Sequence, residues 1–547
     1  MNNKSLRAAR RDFLRQMAKV TAGLGAGSVF GDHMLAPIFN QALAQSLHAT
    51  TRDVYYLQIS LAGGLPRWQF DLPLQPKLTE AFSNPASSFG TRIDVAPGDN
   101  YRPVYATIER EGYRVPPVWG MNAGGKDYSA LLKNALWTRG VDMEINSHSI
   151  SNRRQNATNI GGFSISGAVA DQAGRPIPAV LSGIPPASDG HRSSRGLSGV
   201  NFNSALANPL TTLLAPYRDL NARVPATLPN WFKAREQAFA QFDAYAKQIG
   251  LTNTTLADSY SNAEELISKR VVDMASNYDA ALKRYKDLIA AALTHDSYVD
   301  DYIPSNVRVL SGNIGFRVDD QTSTTNAMLR DFIAPGRSEP IEFAAGFATT
   351  ELLFKAQLTS SMILGSNRFN GIQVRPGTVM SISHDHHFVG RFAETYMTTL
   401  YYRALIACIS EFRDQLGPQW EKTFVHVAGE WNRNPRDDGS GSDHGVIGSG
   451  ASVYSGAIQG LSVVGNVRTE AGISRYPGTW GVAGDFRFDD KFGKTPAETE
   501  VRPLVLTDVT RTITAMLGVR DLVANGYPLM KLSGKVWVPV KAEAKNV

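Results

Sequence analysis

The sequence predicts an α/β fold in which a mostly parallel β-sheet is flanked by helices. Two observations indicate this class. Short β-rich apolar runs recur along the chain, as expected of strands that are buried on both faces of a parallel sheet. Two of these runs also enclose a stretch with helical periodicity, and a strand, a helix and a strand in that order form a right-handed crossover.

Four runs are predicted to be strands of this sheet: residues 53–64, which end in Gly-Gly, 141–145, 378–383 and 423–429. The helical stretch between the last two covers residues 391–417, where apolar side chains repeat at intervals of three and four. It ends at Gly417, a residue type that favours helix termination.

The order of elements favours one large domain, residues 45–547, with a helical insertion at about residues 206–300. Long helical stretches fill this insertion, one of them after the capping-box pair Ser261 and Glu264. Strands of the same class flank it on both sides, so an insertion explains the pattern better than a separate domain.

The first 44 residues predict an export signal. Arg10 and Arg11 precede a short apolar run interrupted by glycines, and small residues end the segment at Ala44. This order resembles a twin-arginine leader cleaved after Ala44, which implies the twin-arginine export machinery as a partner and a periplasmic or extracellular location. A disordered basic arm is the alternative, and the small residues at the predicted cleavage site favour the leader.

Composition argues against several classes for the rest of the chain. The leader carries six Lys/Arg and two Asp, so the formal charge falls from +6 to +2 without it. No run of Lys and Arg with interleaved aromatic residues indicates nucleic-acid binding. Cys408 is the single cysteine, which excludes an internal disulfide, and no uninterrupted apolar stretch predicts a transmembrane segment in the mature chain.

Two clusters of histidine and carboxylate follow predicted strands. Asp385 and His387 come just after residues 378–383, and Glu430, Asp443 and His444 follow residues 423–429. The carboxyl ends of parallel strands meet at one edge of a sheet, where ligands bind. Imidazole and carboxylate together predict a divalent metal site for zinc, manganese, calcium or magnesium.

Each cluster alone has a simpler interpretation, since acidic glycine-rich loops are ordinary protein surface. Two such clusters at one sheet edge favour a site. His426 is different, because it alternates with apolar residues inside its strand. We expect it to be a core histidine and not a ligand.

These residues resemble a known family, the exported proteins grouped as domain-of-unknown-function family 1501 in the alkaline phosphatase and sulfatase superfamily. The shared features are the twin-arginine leader, the early strand ending in Gly-Gly, the strand leading to Asp-x-His at 385–387, and the strand leading to Glu430 and the Asp-His pair at 443–444. Residues 506–519 also resemble the helix that closes many such domains. The helical insertion is unmatched.

The resemblance implies an alkaline-phosphatase-like fold with one or two metal ions at the sheet edge. Asp385 and His387 would bind one ion. Asp443 and His444, with Glu430, would bind the other or share it.

The resemblance also implies a nucleophile after an early strand, for attack on phosphorus or sulfur. Ser147 is the matching candidate, and His148 beside it is a candidate metal ligand. Arg153 and Arg154 are candidates to clamp an anion. An ordinary hydrogen-bonded turn is the alternative for this segment, because Ser and Asn favour turns.

Two departures from the family pattern bear on chemistry. Pro66 stands where the family usually places a metal-binding aspartate, so that ligand is lost unless Asp71 replaces it. Cys408 lies in a predicted helix and lacks the sequence context that formylglycine formation requires, which argues against a sulfatase.

Two functions of different classes follow. One is an exported metal-dependent hydrolase of phosphate esters or related small anionic esters, with Ser147 as nucleophile. The other is a non-catalytic exported protein that keeps the fold for binding or for assembly with an envelope partner. Pro66 favours the second, and the two Asp/His clusters favour the first.

Overall fold

The computed structural model of the protein describes residues 53–73, 92–94, 102–104, 108–123, 125–156, 162–182 without 174 and 176, 190–202, 256–293, 341–366, 368–375, 378–387 without 386, 391–435, 442–445, 448–468 and 482–542, with a few positions between 208 and 240. The predicted leader, residues 1–44, lies outside the described residues.

A nine-stranded sheet forms the centre of the described structure. Its strands are β1 (Tyr55–Leu61), β2 (Asn134–Asp142), β3 (Val180–Ser182), β4 (Val200–Phe202), β5 (Ser361–Ser366), β6 (Thr423–Gly429), β7 (Ser449–Tyr454), β8 (Gly460–Gly465) and β9 (Leu504–Val505). Their order is β4-β3-β5-β1-β6-β7-β2-β8, and β9 pairs with the end of β2. Every pair is parallel except those of β7, which is antiparallel to β6 and β2. The predicted mostly parallel α/β sheet is confirmed.

Helices cover both faces of this sheet. They are α1 (His148–Asn156), α2 (Ile165–Ala173), α3 (Leu256–Leu293), α4 (Ile341–Lys355), α5 (Arg391–Leu416) and α6 (Leu506–Leu517). Helices α3, α4 and α5 share a core with Leu57 and Ile59 of β1, whereas α2 and α6 share the opposite core with Tyr56. Because both faces are covered, β1 is buried at every position, as its apolar sequence predicts.

Helix α3 lies within the predicted insertion, most of which is outside the described residues. It packs directly on the central core. The Arg284 Nη2 atom lies 2.6 Å from Glu351 Oε2 on α4, and Arg403 of α5 donates from Nε to the Ala292 carbonyl at 2.6 Å. The described part of the insertion is therefore attached to the α/β core by polar contacts as well as by apolar packing.

Short hairpins and 3-10 helices complete the described structure. Two-stranded antiparallel pairs join Arg92–Asp94 with Arg102–Val104, Ile108–Arg110 with Tyr113–Val115, Asn122–Ala123 with Lys126–Asp127, Arg368–Arg375 with Thr378–Ser383, Asn432–Pro435 with Ser442–Gly445, Val467–Arg468 with Val482–Ala483, Phe486–Phe488 with Glu500–Arg502, and Met530–Ser533 with Val536–Pro539. Short 3-10 helices cover Arg67–Gln69, Pro117–Gly120, Tyr128–Lys133, Gly417–Lys422, Asp490–Phe492 and Pro496–Glu498. None of the helices in the described part of the chain has the length and apolar character needed to cross a membrane.

The prediction that Thr378–Ser383 is a strand of the main sheet is wrong. This strand pairs with Arg368–Arg375 in a separate antiparallel hairpin, so the predicted strand-helix-strand crossover does not form as expected. Only two residues, Pro376 and Gly377, separate the two runs. Such a short connection containing glycine is typical of a hairpin.

The prediction for residues 141–145 is wrong in its bounds. The strand is β2, which begins at Asn134 and ends at Asp142. Gly140, which has a φ of +66°, lies inside it, next to a shift in the pairing register with β7. Glycine in a strand often marks such a bulge, and here it divides the apolar run that would have revealed the whole strand.

Candidate metal centre

A hairpin brings the first histidine cluster to the carboxyl edge of the sheet. Strand β5 ends at Ser366, and the hairpin begins two residues later at Arg368. Arg368 pairs with Ser383 at the other end of the hairpin. The chain therefore returns to the point where it left the sheet, and His384 and Asp385 follow there.

A second hairpin does the same beyond β6. That strand runs directly into Glu430 and Trp431, and the hairpin that follows pairs Arg433 with His444. The return strand places the His444 ring next to Trp431, with 4.2 Å between ring centroids. The Asp-His pair is thus part of the strand Ser442–Gly445.

Helix α1 supplies the third part. Strand β2 runs in the same direction as β6, so it ends at the same edge, and α1 begins six residues later at His148. The His148 ring centroid lies 4.5 Å from that of Trp431 and 4.6 Å from that of His444. Three separate segments therefore meet around Trp431.

Four side chains converge at this point: His148, Asp385, His387 and His444. Each offers one nitrogen or oxygen atom, and these atoms lie within 4.8 Å of one another. The Nε2 atoms of His387 and His444 are 2.9 Å apart. Asp385 Oδ1 lies 3.3 Å from His387 Nε2 and 4.0 Å from His444 Nε2, and Asp385 Oδ2 lies 3.5 Å from His148 Nε2. This group could hold a metal ion.

The spacing of the four donors suits a small divalent ion. Nitrogen and oxygen donors bound tetrahedrally at about 2.0–2.1 Å from one ion are about 3.3 Å apart. Four of the distances within the group, from 2.9 Å to 4.0 Å, bracket that value, and no two of the four donor atoms are more than 4.8 Å apart. The donor types fit as well, since imidazole and carboxylate are common ligands of transition-metal ions.

Each of the three imidazole rings has an oxygen acceptor behind it. The Nδ1 atom of His148 lies 2.5 Å from Glu430 Oε2, and that of His444 lies 2.6 Å from Asn146 Oδ1. The Nδ1 atom of His387 lies 3.5 Å from Asp443 Oδ1. Metal-binding histidines are commonly held by a hydrogen bond from the second nitrogen to an oxygen, as His148 and His444 are here.

Glu430 and Asp443 were predicted to be metal ligands, and the structure places both behind histidine rings. The Glu430 side chain is only 1% exposed. Its Oε1 atom accepts hydrogen bonds from the Gly63 amide at 2.6 Å and from Asn152 Nδ2 at 2.5 Å. Both carboxylate oxygens of Glu430 therefore have partners within the protein.

Gly63 and Gly64 allow these segments to come close together. Both have positive φ angles, +89° and +71°, which side-chain-bearing residues rarely adopt. A Cβ atom on Gly63 would lie 2.8 Å from the Asp385 amide nitrogen, and one on Gly64 would lie 2.4 Å from Trp431. The Gly-Gly pair at the end of β1 is thus required where the two hairpins meet.

Arg433 ties the same segments together by hydrogen bonds. Its guanidinium is fully buried, and Nε donates to the Gly63 and Gly64 carbonyls at 3.1 Å and 3.0 Å. Nη2 donates to Asp385 Oδ1. The buried, positively charged guanidinium of Arg433 therefore stabilises the Asp385 carboxylate.

These contacts shift the ionisation of Asp385 and His148. Burial alone would raise the pKa of Asp385, but the hydrogen bond with His148 and the charge of Arg433 hold it below the usual range. Hydrogen bonds to Asp385 and Glu430 raise the pKa of His148 to about 9. Both groups are thus charged at neutral pH, and a metal ion would displace the proton on His148 Nε2.

His444 shifts in the opposite direction. Burial and then the nearby charge of Arg433 lower its pKa to about 4. The ring is therefore neutral at pH 7 and has an unprotonated nitrogen. Since Nδ1 faces the Asn146 oxygen, Nε2 is the nitrogen available to an ion.

The remaining candidates predicted from the sequence are Ser147, Arg153 and Arg154. None of them belongs to the four-donor group. Ser147 directly precedes α1, and its carbonyl accepts from the Ser151 amide at 2.8 Å. The Arg154 guanidinium donates to the Met143 carbonyl at 2.8 Å and pairs with Glu144. Arg153 lies exposed on α1.

Asp71 does not supply the carboxylate that the resemblance would place at position 66. Its carboxylate is fully buried and pairs with Arg67, whose Nε lies 2.8 Å from Asp71 Oδ1. Arg67 also donates to the Val427 carbonyl at 2.9 Å. Asp71 thus belongs to a buried ion pair beneath β6, outside the four-donor group.

His426 is a core histidine, as predicted. It is 3% exposed, and its Nδ1 atom lies 2.9 Å from the Tyr56 hydroxyl. Burial and then the charge of Arg67 lower its pKa to about 3. The ring is neutral and has no role as a donor in the group above.

Three residues of the centre were missed in the sequence: Asn146, Asn152 and Arg433. The two asparagines lie in the segment that supplied Ser147 and His148, so hydrogen-bonding residues next to a candidate ligand were the available signal. Arg433 carried no such signal, because nothing in its sequence context indicates complete burial.

No protein-family model matches the chain, and no curated protein or solved structure is significantly similar to it.

Proposed function

We propose that the protein is a metal-dependent hydrolase of phosphate esters or related anionic esters. The observation that carries the proposal is the convergence of His148, Asp385, His387 and His444, each imidazole with an oxygen behind it. Three imidazoles and one carboxylate suit zinc or manganese, whereas calcium and magnesium prefer sites made of oxygen atoms. A bound ion of this kind would act as a Lewis acid that stabilises charge on the ester.

Ser147 is the proposed nucleophile in this reaction. It directly precedes His148 in the chain and stands at the N-terminus of α1, where free backbone amides favour an anionic group. In the proposed reaction its hydroxyl oxygen attacks the ester, the alcohol leaves, and water then releases the acid from the serine. The resemblance of the chain to family 1501 supports the same choice.

A specific observation favours the second function, a non-catalytic protein that uses the fold for binding. Four protein donors occupy all the coordination positions of a tetrahedral ion, and structural zinc sites have this closed arrangement. Asp385 is in addition paired with Arg433, and Pro66 leaves no carboxylate two residues after the Gly-Gly pair. A protein of this kind would bind metal and show no turnover.

Turnover by the purified, metal-loaded mature chain separates the two functions. The hydrolase proposal expects hydrolysis of aryl phosphates, phosphodiesters or phosphonates, and loss of that activity in Ser147→Ala with metal content unchanged. Ser149→Ala is the matched control, since it changes a neighbouring exposed serine of α1. Full metal occupancy without turnover on any of these esters would leave the non-catalytic function.

Export is a separate part of the proposal and rests on the leader sequence. We propose passage through the twin-arginine machinery and cleavage after Ala44. Replacing Arg10 and Arg11 with lysine is expected to leave uncleaved precursor in the cytoplasm, as fractionation would detect. Normal export of that double variant would contradict this step.

A further inference from the structure

The contacts of Glu430 fix the orientation of its carboxylate. Oε1 is held by two N–H donors, the Gly63 amide and Asn152 Nδ2, at 2.6 Å and 2.5 Å. Oε2 is therefore the oxygen that faces His148, 2.5 Å from its Nδ1 atom. Since an ionised carboxylate can only accept, Nδ1 must carry a proton.

We propose that Glu430 is a positioning residue that keeps the Nδ1 proton on His148, so that Nε2 is the nitrogen available to an ion. This inference rests on the proposed metal site. It gives Glu430 a role through His148 in place of the direct ligand role expected from the sequence. Carboxylates behind metal-binding histidines act in this way.

Glutamine at position 430 would reverse the hydrogen bond to His148. Its carbonyl oxygen is required on the side of Gly63 and Asn152, because both of these groups donate. The amide nitrogen of glutamine must then face His148 and donate to Nδ1. This hydrogen bond favours the tautomer with the proton on Nε2, which cannot bind a metal ion.

The test is the affinity of the metal-free mature chain for Zn²⁺, measured by competition with a chromophoric chelator. Glu430→Gln is expected to weaken binding by roughly 10–100-fold, the usual effect of losing such a contact. Glu351→Gln is the matched control. Glu351 is equally buried, and it pairs with Arg284 and Lys355 on the side of α4, so its replacement should leave Zn²⁺ affinity unchanged.

A double-mutant cycle shows whether Glu430 acts through His148. In a His148→Ala background the three other donors remain, and Glu430→Gln is expected to have little further effect on Zn²⁺ affinity. A direct ligand, or a residue with a purely structural role, would produce the same loss in both backgrounds. That result would overturn the proposal.

A milder substitution keeps the test valid if Glu430→Gln does not fold. Asn152→Ala removes one of the two donors that orient Oε1 and leaves the carboxylate in place. It is expected to weaken Zn²⁺ binding by a few fold, again only when His148 is present. Equal affinity in wild type and in this variant would count against the proposal.

The outcomes for Glu430 and for the proposed function are distinct. Zinc binding that depends on Glu430 through His148, without hydrolysis, would overturn the hydrolase and support the positioning role. Hydrolysis together with unchanged Zn²⁺ affinity in Glu430→Gln would overturn the positioning role and leave the hydrolase in place.

Discussion

The two sides of the candidate centre are built differently. On the buried side, Glu430 and Arg433 are 1% and 0% exposed, and both contact the backbone of the Gly63-Gly64 turn. On the exposed side, Asp385 and His387 are 36% and 28% exposed. Their polar partners include side chains of the centre itself, the Arg433 guanidinium and the Ser383 hydroxyl.

This difference indicates which side of the centre is formed in the absence of a metal ion. The buried side is fixed by packing and by hydrogen bonds in which Glu430 and Arg433 contact the main chain, so it should form whenever the protein folds. The exposed side depends on charge interactions, which solvent weakens. We therefore expect substitutions on the buried side to lower stability, and substitutions on the exposed side to lower metal affinity with little effect on stability.

The largest effect is expected when the buried side is broken at Gly64. In Gly64→Ala the new Cβ atom would lie 2.4 Å from Trp431, on a backbone with φ of +71°. Overpacking and the left-handed conformation together should lower the free energy of unfolding by about 2–5 kcal/mol. Chemical denaturation measures this loss.

Gly125→Ala is the control, because Gly125 has φ of +76° and no atom within 4 Å of the added Cβ. It should lose only about 1–2 kcal/mol, the conformational part of the effect. Equal losses at Gly64 and Gly125 would mean that contact with Trp431 does not matter.

The second effect is a pH dependence of stability, which arises at the buried residue His426. Its pKa in the folded protein, about 3, lies below the value of about 6.5 expected in the unfolded chain. The unfolded state therefore binds the proton first as pH falls. Stability from this residue is complete above pH 6.5 and decreases between pH 6.5 and 3, by at most about 1.4 kcal/mol per pH unit.

Comparison with His426→Gln isolates this contribution, since glutamine does not titrate. The difference in free energy of unfolding between wild type and the variant should narrow or reverse as the pH falls from 6.5 to 4. A difference that is independent of pH over this range would show that His426 is not held neutral.

The smallest effect on stability is expected on the exposed side. His387→Ala removes a ring that is 28% exposed and whose contacts include the side chains of Asp385 and Asp443. The free energy of unfolding of the metal-free protein should change by less than about 0.5–1 kcal/mol. A loss as large as that of Gly64→Ala would remove the distinction between the two sides.

The fold class and the four converging side chains could be predicted from the sequence better than the arrangement of those side chains. Apolar runs identified β1 and β6, because strands covered on both faces must be apolar in sequence. Thr378–Ser383 has the same composition, yet it forms a hairpin outside the sheet. Composition indicates burial, and it does not specify the partner strand.

The geometry of the site depended on contacts between residues distant in the chain. Asp385, His387 and His444 were identified as candidates from residue type and from their position after predicted strands, and His148 from the resemblance to a known family. The roles of Glu430 and Asp443 could not be read in the same way, because a carboxylate behind a histidine and a carboxylate on a metal ion look alike in sequence. Only the donors around Glu430 Oε1 distinguish the two.

Metal content tests the central claim most directly. The mature chain is dialysed against Zn²⁺, freed of excess ion and analysed for zinc, beside His444→Ala and a control, His191→Gln, whose ring contacts Ser166 and Leu197. We expect about one tightly bound ion per chain in wild type and control and a small fraction of that in His444→Ala, because the loss of one of four ligands weakens a site of this type strongly. Wild type without stoichiometric zinc, or equal zinc content in all three proteins, would contradict the account.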